Sequence, residues 1–389
     1  MNTLYLHIGT QKTATTTIQH FLVENDEVLK TKGYTYPLFP DIYYPYWDNT
    51  RNGLFIGHPY YNKNNERDYE KEEQYFRHGM KAVHELFKTY PNVILSEERL
   101  WLELFFDKAR IMKRLIEDSK ENGYQIKLIL YLRRQDKFIE SYWNQEIKST
   151  INETDDLDQF VIDFKHLNYY YPLKVITDVL GEENLIAVRF SDAVKGEGII
   201  SDFMHRIGLE LTEEYNITQE STNSRLSGNA LEIKRIINQM DELLIGDQIY
   251  LKDRMRMMSE ISDRKYRSSA LSEEERTAFM EKFKKGNALL VEHYIGDGKP
   301  LFSDDYSGLP KWEKDNPEFL DDMIMTSAAG DVLLYRRIKE ADRHMEKIEK
   351  RIDKLEAMLE KLKDRQEKQS VRIDHLRHPL KAVIDITKK

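Results

Sequence analysis

Between Leu4 and Leu22 the chain passes from an apolar run of strand length, Leu4-Tyr5-Leu6-His7-Ile8, through Gly9 into Thr10-Gln11-Lys12-Thr13-Ala14-Thr15-Thr16-Thr17, then into an amphipathic stretch. That order reads as strand, tight turn, helix. The first backbone N–H groups of a helix have no intrahelical partner, and the helix dipole adds positive character to them. A turn of this kind is an anion site. Lys12 adds a full positive charge, and Thr13, Thr15, Thr16 and Thr17 bring hydroxyl donors. The expected guest is a phosphate-like group; the plainer alternative is a threonine-rich helix start that binds nothing.

Spacing narrows the guest. The nucleoside-triphosphate loop needs Gly-x4-Gly-Lys-Ser/Thr, whereas here only Thr10 and Gln11 separate Gly9 from Lys12. The dinucleotide fingerprint needs three glycines, and Gly9 stands alone. The segment resembles instead the 5′-phosphosulfate loop of sulfotransferases, a strand followed by Lys-Thr-Gly-Thr-Thr and a helix. It departs at Ala14, where that family usually has glycine. Alanine resists positive φ, so either the loop stays in ordinary helical space there or the phosphosulfate sits slightly differently.

A second constellation has the matching order. Ile126 to Leu132 is a buried-type strand running into Arg133-Arg134-Gln135, with Ser141 eight residues after Arg133. The resemblance implies an arginine at a strand end and a serine in the following helix, which together hold the 3′-phosphate of 3′-phosphoadenosine-5′-phosphosulfate (PAPS). A planar guanidinium grips such a dianion through paired hydrogen bonds, and a hydroxyl closes the other side. Arg134 is the alternative to Arg133, or faces solvent. Through the resemblance, cofactor contacts are expected from Gly9, Thr10, Gln11, Lys12, Thr13, Ala14, Thr15, Thr16, Arg133, Ser141 and, from a loop after the last strand, Arg225. The plainer reading of that last segment is a helix capped by Ser227.

Acceptor activation needs a base. Asn92-Val93-Ile94-Leu95-Ser96 is a third strand, and Glu97-Glu98 follow it, at the carboxyl end where open α/β sheets place ligands. Related bacterial sulfotransferases often have Ser-Ser-Glu there, which aligns the catalytic glutamate with Glu98; Glu97 is the second candidate. Both alternatively cap the next helix. His7 and His58 are rival bases with plainer structural readings. The implied reaction is in-line displacement at sulfur, with Glu98 taking the acceptor's proton and Lys12 meeting the charge that grows toward the departing bisphosphate, PAP. No metal is expected: metal-ligand spacings are missing and the chain has no cysteine.

Charge limits the partners. Residues 331–389 hold 17 basic against 12 acidic side chains, a net +5, which leaves −14 on residues 1–330. A nucleic-acid surface needs basic stripes, so no nucleic-acid partner is expected of this acidic body. The first residues enter a strand directly, without a signal-type or membrane-spanning apolar run, which points to a cytoplasmic protein.

Strands alternating with helices predict an α/β fold of P-loop-like, sulfotransferase type, a parallel sheet with helices on both faces. Ala109–Glu121, Asp156–Phe164, Tyr171–Leu180, Ile199–Ile207, Gly228–Leu244 and Leu271–Tyr294 read as helices, and Asn184–Phe190 as a further strand. The expected organisation is a catalytic domain over 1–317, a linker over 318–333, a coiled coil over 334–380 and a basic tail over 381–389. Tyr43-Tyr44-Pro45-Tyr46-Trp47 and Tyr169-Tyr170-Tyr171 offer aromatic faces suited to sugar rings, or a loop packed on itself.

From Leu334 the apolar spacing alternates three and four. Ile338, Met345, Ile352, Leu359, Gln366, Ile373 and Leu380 take one core position; Leu334, Ala341, Ile348, Leu355, Leu362, Gln369 and Leu376 take the other. In parallel register Arg337 meets Asp342, His344 meets Glu349 and Arg351 meets Glu356, which predicts a homodimer or homotrimer. A single helix folded back on the body is the alternative. The ending, with Lys381, Lys388 and Lys389 among apolar residues, is either a frayed terminus or a weak contact with an anionic membrane surface.

Three readings follow: a PAPS-dependent sulfotransferase with a saccharide or glycolipid acceptor, a P-loop kinase that the loop spacing disfavours, and a coiled-coil scaffold whose nucleotide site has decayed at Ala14.

Overall fold

The computed structural model describes residues 1–39, 50–149, 153–162, 167–217, 226, 228–240, 244–261, 268–308 and 310–386. Strands β1 (Asn2–His7), β2 (Tyr34–Thr35), β3 (Asn92–Ser96), β4 (Tyr124–Leu132) and β5 (Leu185–Arg189) form one sheet in the order β2-β3-β1-β4-β5. All four strand pairs are parallel. Parallel strands need crossovers, and the described helices supply them: α1 (Thr15–Glu24) and α2 (Asp26–Thr31) after β1, α3 (Tyr69–Leu86) after β2, α4 (Leu100–Asn122) after β3. After β4 come α5 (Gln135–Lys148), α6 (Leu157–Ile162) and α7 (Tyr170–Leu180); after β5 come α8 (Phe190–Lys195) and α9 (Ile199–Arg206).

Period-two alternation divides the core between the two faces of the sheet. Leu4, Leu6, Leu128, Leu130 and Leu132 pack on one side with Trp101, Leu115 and Leu173. Ile129 and Tyr131 pack on the other with Ile18, Phe21, Phe203 and Met204. Burial on both faces explains why β4 is nearly continuous apolar sequence.

The last part of the body holds α10 (Gly228–Ile237), α11 (Ile245–Ile261), α12 (Glu273–Glu281) and α13 (Lys284–Leu290). The single helix expected over Leu271–Tyr294 is therefore divided, and its end, Val291–Ile295, is a π turn closed by Gly296 at φ 70°. The capping box of Ser272 and Glu275 starts α12. α4 begins at Leu100, nine residues before the expected start, immediately after the Glu97-Glu98 pair.

The chain divides into two compact units, Met1–Leu320 and Asp321–Lys389. α14 runs unbroken from Phe319 to Ile386. Most of the segment expected as a linker, 318–333, is thus helix: Gly330 is its single glycine, and it contains no proline. Along α14 the expected seam is open, with Ile352 47%, Leu355 60% and Leu359 56% exposed. Among the described residues no helix is long and apolar enough to cross a membrane.

Candidate functional site

The chain crosses from one side of β1 to the other between β3 and β4, so the loops leaving β1, β3 and β4 open at one edge beside the central strand. That is where open α/β sheets bind ligands. Backbone hydrogen bonds carry the sheet beyond its strands here. Ile8 N donates to Ile129 O (3.1 Å), Tyr131 N to Gly9 O (2.8 Å), Thr10 N to Tyr131 O (2.9 Å) and Glu97 N to His7 O (2.9 Å). All three loops are fixed at one level before any side chain acts.

Gly9 has φ +96°, and a Cβ there would meet Gln11 N at 3.1 Å and Glu98 O at 3.4 Å. The glycine therefore permits both the turn and the close approach of the Glu98 backbone. Thr10 and Thr13 are fully buried, with the Thr10 hydroxyl on Tyr131 O (3.2 Å) and the Thr13 hydroxyl on Thr10 O. Gln11 is 7% exposed, and its Oε1 is buried with no hydrogen-bond partner.

Lys12 and Ala14 both take positive φ, 66° and 59°. Of the two alternatives for Ala14, ordinary helical space is excluded: at ψ 30° it keeps the left-handed conformation that suits glycine, despite its Cβ. Ala14 occupies the N-cap of α1 and supplies no side-chain cap, and the first turn of α1 has no acidic residue. Thr16 is exposed there, whereas the Thr15 hydroxyl donates to Glu98 Oε2.

Lys12 Nζ donates to Gln145 Oε1 (2.7 Å) on α5. Burial pushes the Lys12 ammonium below its ordinary pKa; Glu98 and Glu146 pull it up and Arg133 pushes it further down. Gln145 lies one helical turn beyond Ser141, so both sit on the same face of α5. That face looks toward Lys12, and Arg133 completes the group from the end of β4: its Nη1 donates to Lys12 O (2.6 Å).

The two arginines after β4 are employed differently. Arg134 forms a fork on Asp136 (2.8 and 2.9 Å), donates to Ser303 O and Asp305 O, and lies over the Tyr306 ring. Arg133 instead reaches the Lys12 loop, with Tyr169 OH donating to its carbonyl (2.8 Å).

The carboxylates after β3 also divide. Glu97 is 2% exposed, takes a two-nitrogen contact from Arg51 and accepts from Arg99 N (2.9 Å). Burial raises its pKa, with Arg51 acting against that rise. It thus braces the turn into α4, whose N-cap is Arg99 with no side-chain cap. Glu98 faces the other way, to Thr15 and the Lys12 charge.

His7 is completely buried; Ser96 Oγ holds its Nδ1 (2.9 Å), and its ring meets Tyr131 and Phe203 edge-on. His58 is held to about 4 by burial and by Arg99 and Arg51, with its ring against Tyr60. Arg225 and the aromatic run 43–47 lie outside the described residues. Tyr169 and Tyr170 are core residues, and Tyr171 is exposed.

Sequence reasoning missed Gln145, Glu146, Arg99 and Arg51. Gln145 alone had a signal, its i+4 spacing from Ser141. A cavity of about 270 Å³ between Trp143, Leu226, Arg235 and Trp312 contains none of the expected site residues.

No protein-family model matches the chain. A curated relative, an uncharacterized protein of Archaeoglobus fulgidus, is 30% identical over 178 residues, 44% of this chain and 46% of the relative. The chain thus spans about half the length of the curated relative it matches. Two solved structures are similar. A sulfotransferase from Alicyclobacillus acidocaldarius has 14% identity and a TM-score of 0.35, over 60% of this chain and 92% of that one. The sulfotransferase domain from the curacin biosynthetic pathway has 10% identity and a TM-score of 0.36, over 66% and 98%. At these scores the function has to be read from the residues themselves.

Proposed function

We propose that the chain transfers a sulfuryl group from PAPS to a hydroxyl or amine of a saccharide or glycolipid. The observation that carries this is the junction of Lys12, Arg133 and Glu98. One arginine bonds the backbone of the lysine loop, and one carboxylate sits on the first hydroxyl of the helix that the loop opens. The uncapped start of α1, Lys12 and Thr16 receive the 5′-phosphosulfate; Arg133 and Ser141 receive the 3′-phosphate.

In the reaction the acceptor oxygen or nitrogen attacks sulfur opposite the bridging oxygen, and the bond from sulfur to that oxygen breaks. Glu98 takes the acceptor's proton, and PAP leaves with the electron pair of the broken bond. Lys12 stabilises that developing charge, and Gln145 holds its ammonium in place until the donor binds.

The test is calorimetric titration with PAP beside ATP, then turnover of PAPS on a panel of glycans. PAP should bind and ATP should not. Arg133→Ala should weaken PAP roughly tenfold or more, since hydrogen bonds to charged groups contribute about 1.5–3 kcal/mol. Lys12→Ala should lower turnover by about 10²–10³ while leaving the circular dichroism unchanged. Full turnover in Lys12→Ala would overturn the mechanism, and preferential ATP binding would favour a kinase.

Under the same proposal, α14 joins copies of the chain through its exposed seam. The flanking charges select the orientation. The positions just before each first core residue are Arg337, His344 and Arg351, and those just after each second core residue are Asp342, Glu349 and Glu356. Parallel helices oppose the basic column to the acidic one; antiparallel helices would oppose each column to itself.

A further inference from the structure

The cavity of about 270 Å³ beside α5 takes no part in the proposed transfer. Trp143 enters its lining from α5, roughly 200° around the helix from Ser141 and from Gln145. The cavity therefore lies across α5 from the Lys12 loop. Trp143 Nε1 donates to Asp155 O (2.9 Å), and Trp312 Nε1 donates to Asn229 Oδ1 (2.7 Å). Both indoles are held by those bonds, and what they offer the cavity is apolar ring surface. Gly228 makes room for Trp312, since a Cβ there would meet the indole Cδ1 at 2.5 Å. Ser269 N donates to Pro310 O (2.8 Å) and Trp312 N to Ser269 O (2.8 Å), which ties that part of the wall together.

The polar groups narrow the guest. Asp156, Asp158 and Glu232 set three carboxylates in the lining against two cations, Arg235 and Lys311. Both cations are already engaged, Arg235 in a fork on Glu232 (2.8 and 2.8 Å) and Lys311 on Glu275. An anion is therefore disfavoured, and a cation would meet the Arg235 guanidinium. A wholly apolar guest would strip water from Asp156 and Asp158, both exposed, without replacing its hydrogen bonds. Asp158 has no hydrogen-bond or ion-pair partner among the described residues. Ser268 Oγ, in the wall, is buried without a partner, whereas buried polar groups as a rule have one. The volume, just under the roughly 300–1,000 Å³ of drug-sized ligand pockets, suits one ring-sized group. What fits is a compact group with flat C–H faces for the indoles and several O–H donors for the carboxylates.

We propose that this cavity is a saccharide-binding site separate from the transfer centre, in which one neutral sugar ring packs on Trp143 and Trp312 and donates hydroxyl hydrogen bonds to Asp156 and Asp158. The site stands independently of the PAPS reading, because none of its residues belongs to the transfer centre.

The experiment titrates the full chain with the methyl glycosides of glucose, galactose, mannose and N-acetylglucosamine, and with glucuronic acid and glucosamine as charged counterparts. Tryptophan fluorescence and saturation-transfer NMR read the binding. At least one neutral glycoside should bind more tightly than either charged sugar. Trp312→Ala should weaken it roughly three- to tenfold, as loss of an aromatic face does. Asp158→Ala should weaken it about threefold or more. If Trp312→Ala fails to fold by circular dichroism, Asp158→Ala decides alone, since that side chain holds nothing else in the protein. Saturating PAP should leave the glycoside bound. No binding by any neutral glycoside, tighter binding of glucosamine, undiminished binding in Asp158→Ala, or displacement of the glycoside by PAP overturns the inference. A chain that binds a glycoside here and does not bind PAP keeps this site and loses the PAPS reading.

Discussion

Ala14 holds φ 59° and ψ 30°, a conformation that costs an L-residue with a Cβ roughly 1–2 kcal/mol. Hydrogen bonds on both sides hold it there: Ile18 N donates to its carbonyl (3.2 Å), and the preceding Thr13 hydroxyl is tied to Thr10. Glycine at this position would relieve the strain but would add about 0.4–1 kcal/mol of unfolded-chain entropy. The balance predicts that Ala14→Gly stabilises the fold by a few tenths to about 1 kcal/mol. Urea unfolding measures it, and a loss of stability would show that Ala14 is unstrained. Strain concentrated in a ligand loop is common at functional sites. Here the left-handed position at the start of α1 is held by an alanine where glycine is the easier choice.

Three elements meet at one buried histidine. His7 of β1 contacts Ser96 of β3, and Gln19 of α1 donates to the same Ser96 hydroxyl (3.1 Å). Burial lowers the His7 pKa from 6.5 to about 3. The unfolded chain therefore takes up a proton below 6.5 that the native chain refuses, and stability falls with pH through the window from 6.5 to 3. At full effect the slope is about 1.4 kcal/mol per pH unit. Glu97, raised by burial, acts in the opposite direction, so the comparison has to be with a variant. His7→Gln should flatten the fall between pH 6 and 4 in urea titrations; an unchanged slope would mean that His7 titrates normally. At this scale the sequence was most readable where burial is two-sided: the apolar runs of β1, β3, β4 and β5 announce themselves. β2 is two residues long and carries no pattern. The Ser141 spacing pointed to Arg133, but what occupies Arg134 was not legible. It depends on Asp136, two residues on, and on Ser303 and Asp305, which only the fold brings near. The different employment of Glu97 and Glu98 likewise depends on Arg51, from a loop with no periodic signal.

As a whole molecule the chain sets an acidic body of −14 against a +5 segment from residue 331, and the charge along α14 is ordered as well as positive. The sequence contains no cysteine, so one introduced thiol reports orientation without interference. Ile338 stands near the start of the seam, and the stretch from 334 to 380 spans about 70 Å at 1.5 Å per residue. In a parallel assembly Ile338→Cys lies opposite its own copy, within the roughly 4.4–6.8 Å Cα separation that a disulfide requires. In an antiparallel assembly the two thiols stand tens of ångströms apart. Mild oxidation should therefore join the chains covalently, and multi-angle light scattering of the unmodified protein should give a dimer or trimer mass. Ile352→Asp, which places a charge in the middle of the seam, should return the mass to that of one chain and abolish the cross-link. A monomeric parent would rule out the joining of copies through α14. An oligomer that never cross-links at 338 would show that the opposed basic and acidic columns do not set its direction.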